Sequence, residues 1–178
     1  MKPQLILLDA DIIIEAHELG IWDEIVKKVD IFIPSIIIQD QAKFFYTKHR
    51  NKVKIDLKSQ VERGLIKELL TNVDELKQLS EKLNKMVLDI HHGEKEALAF
   101  IFCRKNENYC FCTGDKSAIQ ALAMLDMKEK GISMEKLLKS IGLTKKLKHH
   151  FMDKYFNDWL KKGAIRAIQE QGLSKNRY

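Results

Sequence analysis

Leu5-Ile6-Leu7-Leu8-Asp9-Ala10-Asp11-Ile12-Ile13-Ile14 is the stretch that decides the fold. The apolar run from Gln4 to Leu8 is too short for a helix and has no polar alternation, so it reads as a strand buried on both faces. Polarity changes abruptly at Asp9, which marks the end of that strand. Residues Ile12 to Lys28 then place Ile13, Ala16, Leu19 or Gly20, Ile25 and Val26 on one side of a helix that Gly20 can interrupt. The same alternation continues along the chain. Ile31-Phe32-Ile33-Pro34, Leu65 to Leu70 and Tyr109 to Thr113 read as further short strands. Helices are predicted from Asn72 or Asp74 through Leu76, Leu79 and Leu83, from Glu94 to Phe102, and from Ser117 to Met127. Strands alternating with helices imply a three-layer α/β/α fold with a short, mostly parallel sheet.

Two stretches stay open at this level. Ser35 can cap a helix running to Phe45 or beyond, but Ile36-Ile37-Ile38 also fits a strand. Residues 47–63 are polar and fit either a helix or a protruding loop. After Gly131 the pattern reads as wholly helical, with Leu147, Phe151, Tyr155, Trp159 and Leu160 at helical spacing beside Met152 and Phe156. Such a stripe points to an appended helix packed on its own domain.

Of the 178 residues, 45% are apolar and 31% charged, with two prolines and eight glycines, a balance that excludes long structureless linkers. No apolar run approaches the ~18–20 residues needed to span a bilayer. The opening residues are too soon acidic for a secretory signal, so a cytoplasmic protein without a membrane partner is expected. An odd set of three cysteines makes no disulfide framework. Cys103, Cys110 and Cys112, with His149 or His150, match zinc-ligand spacing poorly, and buried thiols are the better reading. Charge is unevenly divided. Residues 1–127 carry a net −2 and residues 128–178 a net +8. We therefore expect an α/β domain over 1–127 and a basic helical extension over 128–178, able to attract a polyanion such as RNA.

Ligands of open parallel sheets collect where the strands end, near the reversal of strand order. Asp9 ends the first strand, Asp11 follows it, and Asp115 lies just beyond Thr113. Glu94 and Glu96 open a helix, and Asp40 follows the second strand. Each acid has an ordinary role available: Asp9, Asp11 or Asp115 as a helix cap, Glu94 and Glu96 as partners of a helix dipole, Asp40 as a solvated side chain. Gathered together, however, carboxylates repel one another unless a cation neutralises them, and an oxygen-rich cluster suits Mg²⁺ or Mn²⁺.

The combination resembles the PIN-domain family. Leu5 to Ile14 is similar to its opening motif, with Asp9 in the place of the first metal-binding aspartate and Asp11 where a small polar supporting residue is common. Ile33-Pro34-Ser35-Ile36-Ile37-Ile38-Gln39-Asp40 is similar to the second motif, but departs from it: the family usually supplies a glutamate, and this chain offers Gln39 and Asp40, with Gln41 next. Gly93-Glu94-Lys95-Glu96-Ala97 resembles the Gly-Glu-x-Glu-Ala form of one branch, with Glu94 the preferred ligand and Glu96 the second candidate. Thr113-Gly114-Asp115 matches a Thr-x-Asp motif in which the threonine supports the site.

The resemblance covers roughly residues 4–127 and implies a metal-dependent ribonuclease, with Asp9, Glu94 and Asp115 catalytic and Mg²⁺ or Mn²⁺ as cofactor. It also implies RNA as substrate and, as in the family's toxins, an antitoxin protein and a homodimeric partner. Two alternatives accompany it. Absence of the second-motif glutamate suits a decayed PIN-like module that binds RNA or protein without cutting. Asp9-x-Asp11 after an apolar strand also resembles the haloacid-dehalogenase phosphatases, although Asp115 lacks their expected second acid a few residues on.

Overall fold

The computed structural model describes residues 5–83 and 88–175, so the expected start of the first strand at Gln4 lies outside the described residues. Five parallel strands form the main sheet: β1 (Leu5–Leu8), β2 (Asp30–Pro34), β5 (Lys67–Leu69), β6 (Tyr109–Cys112) and β7 (Gly131–Ile132). Their spatial order is β5-β2-β1-β6-β7. The order reverses at β1, whose Leu8 lies opposite Cys112 of β6. Helices α1 (Ala10–Glu18), α2 (Trp22–Lys28), α3 (Leu57–Glu62), α4 (Val73–Leu83), α5 (His92–Cys103), α6 (Lys116–Met124), α7 (Met134–Ser140) and α8 (Asp153–Lys175) complete the three-layer α/β/α architecture.

The pleat explains why so short a sheet can support two cores. Successive side chains of a strand point to opposite faces. Ile6, Leu8, Ile31, Ile33, Cys110 and Cys112 enter the core formed with α1, α2 and α7. Leu7 and Phe111 enter the second, with residues of α4, α5, α6 and α8, and Phe32 packs against it. Both faces are dry, which is why the strands read as unbroken apolar runs.

Gly20 separates α1 from α2. Its φ of +65° lies in the left-handed region that glycine adopts without a Cβ penalty, and the Ile21 amide returns to Ala16 O at 3.0 Å. Asn72 caps α4 reciprocally with Glu75: each backbone amide bonds the other's side chain, at 2.9 and 3.1 Å.

Three expectations need correction or resolution. Ser35 caps no helix through Phe45; its hydroxyl donates to Glu68 Oε1 at 2.6 Å and Leu69 O at 3.3 Å. A single π-helical turn, Ile37–Gln41, follows instead and closes with Ala42 N on Ile37 O at 3.2 Å. Residues 44–54 then form an antiparallel ribbon of β3 (Phe44–Tyr46) and β4 (Lys52–Lys54), and α3 follows. Aromatic side chains favour that extended form. Finally, the segment after Gly131 is not wholly helical, because Gly131–Ile132 supplies the fifth strand.

That strand lies beyond residue 127, and side chains of the segment that follows it enter both cores. Phe151 is buried in one core and Phe156 in the other, while Tyr155, Trp159 and Leu160 lie against the second. Among the described residues, no helix is long and apolar enough to cross a membrane.

Candidate metal centre at the carboxyl edge of the sheet

Asp9 leaves the end of β1 and is held there by three neighbours. Its amide bonds Cys112 O at 3.2 Å, tying it to β6. Its Oδ1 accepts the Ala10 amide at 2.6 Å and its Oδ2 the Thr113 hydroxyl at 2.9 Å. Thr113, itself buried, accepts the Asp115 amide on the same Oγ1 at 3.1 Å. One hydroxyl therefore links the ends of both central strands. Asp115 Oδ1 caps α6 by accepting the Ser117 and Ala118 amides at 2.7 and 2.9 Å, which fixes the direction of its carboxylate.

Glu94 arrives from the other side, on the first turn of α5. Its Oε2 accepts the His91 amide at 3.0 Å. Gly93 is necessary for this approach: a Cβ there would lie 2.6 Å from Gln41 Oε1 and 2.8 Å from Ile37 Cγ1. The glycine of Gly-Glu-x-Glu-Ala thus lets the π turn press against the start of α5.

The electrostatics follow from this gathering. Asp9 is only 5% exposed, and its pKa rises from 3.8 to about 7. Burial is the main cause; the Asp11 and Asp115 charges add to it, and the Thr113 and Ala10 bonds oppose it. Glu94 rises from 4.5 to about 8, first through burial and then through repulsion by Asp9 and Asp115. Among the described residues, the one basic side chain within ion-pair distance of these three carboxylates is His91, with Nδ1 3.7 Å from Glu94 Oε2. Burial and mutual repulsion thus hold protons on Asp9 and Glu94, with His91 as the one nearby basic group among the described residues.

His91, Glu94 and Asp115 each offer a donor atom within 4.8 Å of the others. His91 and Glu94, but not Asp115, line a cleft of about 360 Å³ together with Asp9, Asp11, Gln41, Ala10 and Ile14. No protein-family model matches this chain, and no curated protein matches it. The functional reading therefore rests on the residues themselves.

The expected set divides cleanly. Asp9, Asp11 and Glu94 line one cleft, Asp115 lies within 4.8 Å of a Glu94 oxygen, and Thr113 is bonded to both Asp9 and Asp115. Asp40 does not line the cleft; its side chain is 67% exposed and pairs with Lys43 at 3.5 Å. Glu96 faces a different neighbourhood, near Ile36 and Glu68, where burial raises its pKa. Neither belongs to the group of donor atoms formed by His91, Glu94 and Asp115, and Asp9 also stands outside that group. In their stead the fold presents Gln41, from the π turn, and His91, neither of which is among the expected ligands. A His-x-x-Glu pair spanning the helix start is the signal for His91; no comparable signal selects Gln41 over its neighbours. The group contains no cysteine: Cys110 and Cys112 are buried along β6 as expected, whereas Cys103, expected to be buried with them, ends α5 and is exposed.

Proposed function

We propose that this protein is a divalent-metal-dependent ribonuclease, with Asp9, Glu94 and Asp115 as its essential acids. The observation carrying this reading is the burial of Asp9 and Glu94 beside Asp115 with so little positive charge to balance them. Structural carboxylates are ordinarily solvated or paired; Asp9 and Glu94 on one cleft, with Asp115 within 4.8 Å of Glu94, suit a cation. Oxygen donors fit Mg²⁺ or Mn²⁺, and His91 as an additional donor tilts the set toward the transition metal. When bound, such an ion supplies charge neutralisation at a phosphodiester and a lowered pKa for water.

The protein side chains have separable roles. Thr113 holds Asp9 by one oxygen and so orients its carboxylate. The amides of α6 hold one oxygen of Asp115, leaving the other outside those bonds. Asp9 and Glu94, both with pKa values near or above neutrality, release protons when a cation takes their place. Asp11, exposed at the cleft mouth, adds negative potential that attracts the cation.

The direct test is cleavage of labelled RNA with Mn²⁺. Wild type should cut, Asp9→Asn should not, and the variant should retain its fold by circular dichroism. Unchanged cleavage by Asp9→Asn would reject the site. A second reading, a PIN-like module that binds without cutting, is favoured by Asp40 standing outside the cleft and neutral Gln41 standing within it. Absence of Mn²⁺ binding at millimolar concentration would select that reading. The resemblance carries toxin activity, an antitoxin and a homodimer as further proposals, tested first by whether a small DNA-binding protein is encoded beside this one.

A further inference from the structure

The β3–β4 ribbon takes no part in the metal site, yet its surface is unusually specialised. Between Gln41 and Ile55 the chain carries five cations (Lys43, Lys48, Arg50, Lys52 and Lys54), three aromatics and no acid. Lys43 pairs with Asp40, but none of the other four cations has a carboxylate partner among the described residues.

The register sorts these side chains by face. Phe44 lies opposite Lys54, Phe45 opposite Val53 and Tyr46 opposite Lys52. Because side chains alternate, Phe44, Tyr46, Lys52 and Lys54 share one face. Phe44 is 39% and Tyr46 51% exposed. Phe45, on the reverse face, packs on His17 at 5.5 Å, and His17 in turn stacks on Trp22 at 4.8 Å. The ribbon is thereby anchored from behind while its outer face holds rings and ammonium groups in solvent. Lys52 Nζ sits 3.6 Å from the Phe44 ring centroid.

The outer rings are 6.2 Å apart and inclined at 82°. Bases stacked in a duplex lie about 3.4 Å apart and parallel, so the two rings can serve as platforms only for bases that have splayed. Unpaired strands allow this, and aromatic stacking combined with cations is the general means of holding them. The ribbon also begins three residues after Gln41, which lines the metal cleft. Tyr46, Thr47 and Lys48 also line a groove together with Lys146, Leu147 and Lys148. The two acids of that groove, Glu15 and Glu18, are both paired with Lys148.

We propose that the outer face of the β3–β4 ribbon binds an unpaired polynucleotide strand, with Phe44 and Tyr46 stacking on bases and Lys52 and Lys54 contacting phosphates. The ribbon thereby deepens the ribonuclease reading, on which it rests only for its connection to cleavage: the form of RNA delivered to the cleft is single-stranded.

Fluorescence anisotropy of the full chain in EDTA tests it, using labelled oligouridylate, oligothymidylate and an RNA duplex. Wild type should bind single strands more tightly than duplex, and Phe44→Ala/Tyr46→Ala should weaken single-strand binding by about tenfold or more. Lys52→Gln/Lys54→Gln should lower the slope of log affinity against log salt by about 0.7 for each phosphate that the protein no longer neutralises. Tighter binding of oligouridylate assigns the strand as RNA, and tighter binding of oligothymidylate assigns it as DNA; both support the ribbon. Wild-type affinity in the aromatic variant, or a preference for duplex, would overturn the proposal. Binding is read in EDTA and requires no cleavage, so failure of the nuclease reading leaves this result interpretable.

Discussion

Replacing Asp9 by asparagine should make the metal-free protein more stable at alkaline pH, although it removes a group central to the site. The folded protein holds the Asp9 proton to about pH 7, against 3.8 ordinarily. A raised carboxyl pKa means that the folded state binds more protons than the unfolded state between those values, so stability falls as pH rises through that window. The full effect is about 4 kcal/mol, reached above the folded pKa, and about 2–3 kcal/mol of it falls between about pH 5 and pH 8. Asparagine keeps the shape and stays neutral. Its oxygen can accept the Ala10 amide and its NH₂ can donate to Thr113 Oγ1, reversing one bond without losing it. Glu94, relieved of the Asp9 charge, should gain as well. Urea unfolding in EDTA measures the stability of both proteins across this range. The advantage of Asp9→Asn over wild type should widen by about 2–3 kcal/mol between about pH 5 and pH 8. A difference that stays flat, or that favours wild type increasingly at high pH, would refute the burial and repulsion assigned to Asp9.

Three further substitutions probe the cleft and the packing around it. Gln41→Glu adds a carboxylate to the cleft and should tighten Mn²⁺ binding by about tenfold, or about 1.4 kcal/mol, measured by calorimetry. Asp40→Asn should leave Mn²⁺ binding unchanged and alter stability by less than about 0.5 kcal/mol, since its pair with Lys43 is exposed. Gly163→Ala should cost about 1–2 kcal/mol and lower Tm by several degrees. A Cβ there would meet Gln120 O at 2.7 Å and Gln120 Cα at 2.9 Å, backbone atoms that cannot yield without separating α6 from α8.

The sheet is legible in the sequence because each central strand is an apolar run with both faces covered. Leu5 to Leu8 and Tyr109 to Cys112 carry no polar residue apart from the thiols and the Tyr109 hydroxyl, and the acids after them mark where the sheet stops. Asp9 and Asp115 can therefore be placed beside one another from the chain alone. Glu94 follows from the motif around it, and the glycine of that motif acquires its reason only from the neighbouring π turn. That turn is not legible: Ile36-Ile37-Ile38 suits a helix or a strand, and the choice among Gln39, Asp40 and Gln41 depends on a local winding that side-chain pattern does not encode. The ribbon is obscured by its own exposed surface. Phe44 and Phe45 fall in the stretch that fits a helix or a strand, while the polar residues 47–63 hide the second strand, so the two halves do not read as one ribbon. Gly131-Ile132 is simply too short to register as a strand, and it joins the sheet because β6 offers it an edge.

Calorimetric titration of Mn²⁺ into the metal-free protein near neutral pH is the most direct test of whether the three acids form a cation site. Binding should release protons, seen as heats that change with the buffer's ionisation enthalpy, and should vanish in Asp9→Asn and Asp115→Asn. Binding of undiminished strength in both variants, or none in the wild type, would contradict a cation site built on these acids.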